Sequence, residues 1–136
     1  MKLAVLASLA ATALAQNVFV SLPGGNKLTP GEDIIVQVTR PNSLTGSTDL
    51  AVAIGLQSCP SNPCLEPSST LGTLLYNGSY TPQYHEWNKQ PYENFTVTVP
   101  ETTPKGNGQI GVAHFALVGA SNWPLLQTPS ANVTIV

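Results

Sequence analysis

Charged side chains are scarce in this sequence. Lysine, arginine, aspartate and glutamate make up 9% of the 136 residues, against about 25% in an ordinary soluble domain. Arginine occurs once, at Arg40, and the formal net charge is −2. Binding to nucleic acid or to an anionic membrane surface depends on clustered positive charge. No such cluster is present in the sequence, so neither partner is expected.

Helix-forming residues are also thin beyond the first segment, whereas the chain holds 12 prolines and 11 glycines. Frequent turn residues with few lysines, glutamates and alanines are typical of short strands joined by turns. Hydrophobic residues make up 42% of the chain, which is enough to build a core. The composition therefore predicts an all-β domain.

Long apolar runs are missing except at the amino terminus. Residues 3–14 follow the positive charge of Lys2 and lead into the small-residue motif Ala13-Leu14-Ala15. This order predicts a secretory signal peptide over residues 1–15, and the run is too short to cross about 30 Å of hydrocarbon. We expect a secreted chain that begins at Gln16, forms a single domain over residues 16–136, and does not insert into membranes.

Cysteine occurs only twice, at Cys59 and Cys64. In an oxidising compartment a close pair of this kind predicts a disulfide. The alternative, a metal or redox site, is disfavoured because the spacing is not Cys-x-x-Cys and no second cluster of cysteine and histidine exists. No metal ion or other cofactor is therefore expected.

The segment 94–120 carries the clearest strand pattern. Phe95, Val97 and Val99 alternate with polar residues, which predicts a half-buried strand, and residues 110–118 are apolar on both faces, which predicts a central strand. We expect these two strands to be an antiparallel pair, covered by a second layer that the rest of the chain supplies.

Further strands are predicted from alternation and from the turn residues between them. In residues 50–56, Leu50 and the three apolar residues at every second position after it share one face, and small residues occupy the other face, where something packs closely. The predicted strands are 17–22, 34–39, 50–56, 72–77, 94–99, 110–118 and 131–136, and residues 122–124 are predicted as a loop. About seven antiparallel strands predict an immunoglobulin-like β-sandwich, with a small β-barrel as the second possibility.

Three sequons predict N-glycosylation, at Asn77, Asn94 and Asn132. Asn94 and Asn132 lie between inward-facing apolar residues, so their side chains should face solvent as a glycan requires. The alternative is that they are simply polar strand residues.

Catalytic patterns are weak in this sequence. His114 lies inside the predicted central strand, which favours a core histidine, and no Gly-x-Ser-x-Gly motif is present. Glu86 and Glu93 could be a glycosidase pair, but a domain of this size without a long cleft makes that role improbable. No catalytic residue is assigned, and the chain is expected not to be an enzyme.

The segment 79–93 is the most suggestive of function, since loops of this length usually bind something or are disordered. Its candidate binding residues, mostly aromatic with polar tips, are Tyr80, Tyr84, His85, Trp87 and Tyr92. The alternative is that these side chains fold back as a lid over one end of the sandwich.

Taken in order, four segments resemble a necrosis-inducing secreted effector family of fungi. They are residues 52–55, 71–75, 92–100 and 105–120. The resemblance implies a protein that induces plant cell death and suppresses pattern-triggered immunity. It implies binding to immune receptor-associated kinases, including the brassinosteroid co-receptor kinase and the receptor-like cytoplasmic kinase downstream of it. It also implies action in the host apoplast and host cytoplasm, and it identifies no contact residues.

A carbohydrate-binding or structural cell-wall module is the alternative function. In that case Tyr84, Trp87 and Tyr92 would be the platforms on which sugar rings stack.

Overall fold

A computed structural model describes residues 17–42 and 46–136, so the predicted signal peptide at residues 1–15 lies outside the described residues. The described residues form nine strands and no helix. The strands are β1 (Phe19–Ser21), β2 (Lys27–Leu28), β3 (Asp33–Thr39), β4 (Ser47–Ser58), β5 (Thr73–Gly78), β6 (Tyr92–Thr98), β7 (Gly106–Val118), β8 (Trp123–Gln127) and β9 (Ser130–Ile135). The predicted all-β class is confirmed.

The strands form two sheets. One has three strands in the order β1-β3-β6, and the other has six, in the order β2-β9-β7-β4-β5 with β8 also paired to β7. All pairings are antiparallel except that of β2 with β9, which is parallel. The prediction of about seven antiparallel strands is therefore corrected in number and in direction.

Strands β2 and β8 were not predicted from the sequence, for different reasons. Strand β2 has only two residues, too few to show any period. Residues 122–124 were predicted as a loop, yet Trp123 and Pro124 begin β8, whose pairing in the described structure is with β7 alone. Proline is acceptable on such an edge strand, since the missing N–H need not face a partner.

The central strand prediction for residues 110–118 is confirmed, but its predicted partner is wrong. Strand β7 pairs with β4 along one edge, and along the other with β9 at its start and β8 at its end. Strand β6 instead pairs with β3 in the three-stranded sheet. The connection of residues 99–105 therefore passes from one sheet to the other, because alternation reports which face of a strand is buried but not which strand lies beside it.

The core lies between the two sheets. The three-stranded sheet contributes Val36, Val38 and Phe95, and the six-stranded sheet contributes Ile54 and Val112, all of them buried. Both layers thus bury one apolar face against the other, the arrangement that antiparallel sheets with one polar face require.

A β-bulge interrupts β4 near its start. Asp49 lies opposite Ala116 and Ala51 lies opposite Phe115, so Leu50 is the extra residue. The bulge reverses the alternation, which corrects the prediction that Leu50 shares the inward face with Val52, since Leu50 is exposed. Its consequence is that Asp49, a carboxylate, faces inward.

The close packing predicted beside the small residues of β4 is confirmed at Gly55. A Cβ atom there would lie 2.5 Å from the Leu71 carbonyl oxygen and 2.6 Å from the Leu71 Cβ. The segment after the cysteine pair therefore lies directly on the outer face of the six-stranded sheet.

Gly55→Ala should lower the free energy of unfolding by about 1–3 kcal/mol, because the added methyl group must displace the Leu71 backbone. Gly24→Ala is the control, since a Cβ at Gly24 meets nothing within 4 Å. Urea unfolding of both variants measures the difference. Equal stabilities of G55A and G24A would show that residue 71 moves aside freely.

Candidate functional site

Three connections between strands meet at one end of the two sheets. The register places Thr39, the last residue of β3, opposite Tyr92, the first residue of β6. It places Ser47 at the start of β4 opposite Val118 at the end of β7, and Val118 opposite Trp123 at the start of β8. Residues 40–42 and 46, residues 79–91 and residues 119–122 therefore lie side by side.

Hydrogen bonds join these connections directly. The Arg40 N–H donates to the Pro91 carbonyl over 2.9 Å, and the Gly119 N–H donates to the Gly46 carbonyl over 2.8 Å. The Tyr84 hydroxyl donates to Asn42 Oδ1 over 2.5 Å. We call residues 40–42, 46, 79–91 and 119–123 the aromatic end.

Large aromatic side chains project from the aromatic end into solvent. Trp87 is 96% exposed, Trp123 is 70% exposed and Tyr84 is 62% exposed. Tyr84 and Trp87 were predicted from the sequence as binding residues, and both are exposed. Trp123 was not singled out, because the register that brings residues 119–123 to this end is not visible in the sequence.

The prediction that Tyr80 is a binding residue is wrong, because its side chain is 1% exposed and belongs to the core. Its hydroxyl donates to the Val38 carbonyl over 3.0 Å, and its ring meets the His114 ring edge-on with centroids 5.1 Å apart. Burial raises the pKa of Tyr80, so the hydroxyl stays protonated and remains a donor.

His85 and Tyr92 pack on each other rather than standing free. Their rings stack with centroids 4.1 Å apart and an interplanar angle of 14°. The Tyr92 hydroxyl donates to Glu86 Oε1 over 3.2 Å, and desolvation together with the Glu86 charge raises the pKa of Tyr92. One face of the Tyr92 ring is therefore covered.

Both glutamates of this segment take part in holding it to β6. The Thr81 N–H donates to Glu93 Oε1 over 2.9 Å, and Gln83 and Tyr92 exchange backbone hydrogen bonds. Residues 79–91 are therefore a fastened loop, and Tyr92 and Glu93, which were predicted within it, belong to β6.

A buried ionic cluster lies beneath the aromatic end. Asp49 Oδ2 accepts a hydrogen bond from Arg40 Nη1 over 2.6 Å, and Asp49 Oδ1 lies 2.8 Å from His114 Nε2. The Asp49 side chain is 4% exposed. Burial by itself raises the pKa of Asp49, but the hydrogen bonds from His114 and Arg40 outweigh it, so this pKa lies below the ordinary value of 3.8.

His114 therefore lies in the core, and His85 lies on the surface loop. Within residues 17–42 and 46–136, no three histidine, cysteine or acidic side chains are grouped as metal ligands. The same residues contain no helix that could serve as a membrane span.

The predicted modification sites lie outside this end. Cys59 and Cys64 form a disulfide with their Cα atoms 5.3 Å apart. Asn77, Asn94 and Asn132 are exposed on β5, β6 and β9, and Asn94 Oδ1 accepts a hydrogen bond from Gln37. Glycosylation of these residues remains a prediction.

The fold and the aromatic end define a small, single-disulfide all-β protein with an exposed surface of tryptophan and tyrosine. The model of the Nis1 family matches residues 12–134, and the chain belongs to that family. The family is one of fungal effector-like proteins whose name points to necrosis induction. No curated protein matches the chain in sequence.

Solved structures share the architecture at low sequence identity. The superoxide reductase (neelaredoxin) from Ignicoccus hospitalis is 10% identical, with a TM-score of 0.51, covering 88% of this chain and 80% of that chain. A variant of the same enzyme is 13% identical, with a TM-score of 0.54, covering 93% and 86%. At these identities the likeness concerns the fold alone.

Asp49→Asn should lower the free energy of unfolding at neutral pH by about 3 kcal/mol, because it leaves Arg40 and His114 facing a neutral amide. In the unmutated chain, the contribution of the Asp49 carboxylate is complete above pH 3.8 and is lost as the pH falls through the lower folded-state pKa. D49N should lack that acid-limb loss.

Urea unfolding at several pH values between 2 and 7 measures this effect. Asp33→Asn is the control, since Asp33 is an exposed carboxylate hydrogen-bonded to Thr98. Parallel pH curves for D49N and the unmutated chain would contradict a stabilising ionic cluster.

Proposed function

We propose that the protein is a secreted fungal effector that acts on plants without catalysis. In this proposal it suppresses pattern-triggered immunity, induces cell death, or both, by binding immune receptor-associated kinases. The partners are a co-receptor kinase and the receptor-like cytoplasmic kinase downstream of it. Membership of an effector-like family supports the class of function. The main observation in favour of binding by direct contact is that Trp87 is almost fully exposed on a loop that hydrogen bonds hold in place.

The aromatic end has the properties of a protein-binding surface. Exposed tryptophan and tyrosine side chains are the residues that most often dominate binding free energy at interfaces. Hydrogen bonds link Arg40 and Asn42 to residues 79–91 and link Gly119 to Gly46, and they fix the backbone beneath the exposed rings. A surface fixed in advance loses less conformational entropy when a partner binds.

Occlusion of the kinase surface, rather than chemistry, is the proposed mechanism. Asp49 and His114 lie beneath the aromatic end and hydrogen-bond to each other. Glu86 and Glu93 accept hydrogen bonds within the loop and its strand. Each of these four side chains thus has at least one structural contact, which supports a binding protein, although Glu86 Oε2 and His114 Nδ1 are buried without a hydrogen-bond partner among the described residues.

The finer fold assignment that we propose is an immunoglobulin-like sandwich. Seven of the nine strands, in the orders β1-β3-β6 and β9-β7-β4-β5, pair antiparallel within their sheets, and among them the chain crosses from one sheet to the other after β3, β5 and β6. Loops collected at one end of two packed sheets are the feature that such domains use for recognition.

Export is the third part of the proposal. The apolar leader and the Cys59–Cys64 disulfide both favour an oxidising, extracellular destination. Mass spectrometry of the amino-terminal peptide of the protein from a fungal culture medium should show that the chain begins at Gln16. An intact Met1 in the medium would contradict cleavage of the leader.

Trp87→Ala, alone and with Tyr84→Ala, should weaken binding to the two kinase domains at least tenfold, because each change removes an exposed aromatic contact. Leu65→Ala is the control, since Leu65 is an exposed apolar residue beside the disulfide loop. Biolayer interferometry measures binding, and the reactive-oxygen burst of leaf tissue reports the immune response.

If the unmutated protein binds neither kinase and leaves the burst undiminished, the proposed function is wrong. If W87A and L65A bind equally well, the kinase contact lies elsewhere than at the aromatic end. Folded state is checked by circular dichroism for every variant.

Carbohydrate binding is the second candidate, favoured by the same exposed rings. Tyr92 is less suited than predicted, since His85 covers one of its faces, which leaves Trp87 and Tyr84 as stacking platforms. Retention of the protein on insoluble chitin, glucan or cellulose, and its loss in W87A, would support this function over kinase binding.

A further inference from the structure

A groove of about 780 Å³ lies beside the disulfide loop. Its lining is Asn26, residues 59–64, residues 107–109 and residues 132–134. We call it the disulfide groove. Ser58 at the end of β4 pairs with Gly108 near the start of β7, so the groove lies toward the opposite end of the sheets from the aromatic end.

The floor of the disulfide groove includes part of a row of side-chain amides on the outer face of the six-stranded sheet. The register aligns Gln57, Gln109 and Asn132 across β4, β7 and β9. Gln57 Nε2 donates to Gln109 Oε1 over 3.0 Å, and Gln109 Nε2 donates to Ser130 Oγ over 3.4 Å. These bonds fix the two glutamines, and Asn132 stands at the end of the row.

Asn132 lines this groove, and its exposed position opposite Gln109 puts its side chain on the outer face of the sheet. Asn26 approaches Asn132 from the other side, but its Nδ2 donates to the main-chain carbonyl of Asn132, over 3.0 Å. Because that bond uses the backbone, the Asn132 side chain can carry a substituent while the neighbouring strands stay paired. Asn132 is also the acceptor residue of the sequon that ends at Thr134.

The wall of the groove is the loop closed by the disulfide. The Cys59 N–H donates to the Asn107 carbonyl over 2.8 Å, and Ser58 Oγ donates to the Pro104 carbonyl over 3.1 Å. The loop presents Pro60 and Pro63 with polar side chains between them. It is thus anchored at its first cysteine, and its far side is held by the disulfide.

The chemistry of the lining fits an N-acetylhexosamine. Every lining side chain is uncharged, and most carry an amide or hydroxyl group that can pair with sugar hydroxyls and with an acetamido group. The two proline rings offer apolar surface to the acetyl methyl group and to the C–H face of the sugar. An anionic or cationic ligand would find no opposite charge in this lining.

We propose that the disulfide groove seats the first N-acetylglucosamine residues of an N-glycan attached to Asn132. The glycan then bridges β9 to the disulfide loop and shields the loop from solvent. The proposal rests on the export part of the proposed function, since the modification occurs in the secretory pathway, and it is independent of kinase binding.

The test compares two sequons in protein secreted from a yeast host. Thr134→Ala removes the Asn132 sequon, and Thr96→Ala is the matched control that removes the Asn94 sequon from an equally exposed strand position. Both variants and the parent chain are also produced in bacteria without glycans. That series separates the effect of the threonine substitution itself from the effect of the glycan.

Mass spectrometry of tryptic glycopeptides should find Asn132 occupied. Hydrogen–deuterium exchange over residues 59–64 should then be at least fivefold faster in T134A than in the parent, and unchanged in T96A. Trimming the glycan to one N-acetylglucosamine should preserve most of the protection, because the groove holds the innermost sugar. Without glycans, the parent chain, T134A and T96A should exchange at the same rate.

An unoccupied Asn132 in the secreted protein would overturn the proposal. So would an occupied Asn132 whose removal leaves exchange over residues 59–64 unchanged, since the glycan would then point into solvent. Kinase binding of the same samples is recorded separately, so failure of this proposal and failure of the proposed function give different results.

Discussion

The ion pair that Asp49 makes with Arg40, and its hydrogen bond to His114, determine the architecture of one end of this molecule. An unpaired buried carboxylate is strongly unfavourable, so a side chain that is 4% exposed must have partners on more than one oxygen. Arg40 directly follows β3 of the three-stranded sheet, and His114 lies in β7 at the centre of the other sheet. The cluster therefore links the two sheets. The bulge at Leu50 makes this possible, because without it Asp49 would face solvent.

The surface above depends on this cluster. The Arg40 side chain binds Asp49 and its backbone N–H binds the Pro91 carbonyl, so one residue couples the buried charge to the aromatic loop. Tyr80 closes the other side, with its ring against His114 and its hydroxyl on β3. The exposure of Trp87 is therefore not a sign of a loose loop, since the segment that carries it is held at both ends. Binding energy at such a surface is not spent on ordering the backbone.

Local sequence patterns predict which residues form strands and which face of a strand is buried, but not which strands pair. The sequence pattern predicted strands β1, β3 to β7 and β9, because burial of one face is a local property of each strand. It failed at Leu50, since a bulge shifts the period by one residue without changing composition, and it assigned β6 to β7 as a partner, since pairing depends on contacts distant in sequence. In residues 79–91, composition identified the aromatic residues but not which of them are buried and which are exposed. Tyr80 is buried and Trp87 is exposed, although both are aromatic residues of one connection, because only the fold decides which side chain the core receives.

The two ends of the sheets differ in chemistry. Superoxide reductase from Ignicoccus hospitalis has a similar fold at 10% identity, so the common part is the pair of packed sheets, and what distinguishes this chain must reside in its connections. Here one end exposes aromatic rings over a buried ionic cluster, and the other forms an uncharged amide-lined groove under a disulfide loop. The exposed aromatic rings favour a partner recognised by shape and apolar contact, with Glu86 and Lys89 as the charged residues on either side of Trp87. Such a surface also promotes self-association unless something keeps copies apart, and with a net charge of only −2 repulsion between copies is weak. If Asn132 carries a glycan as proposed, that glycan lies toward the opposite end of the sheets from Trp87. It would then oppose self-association of a protein of low net charge without covering the aromatic end.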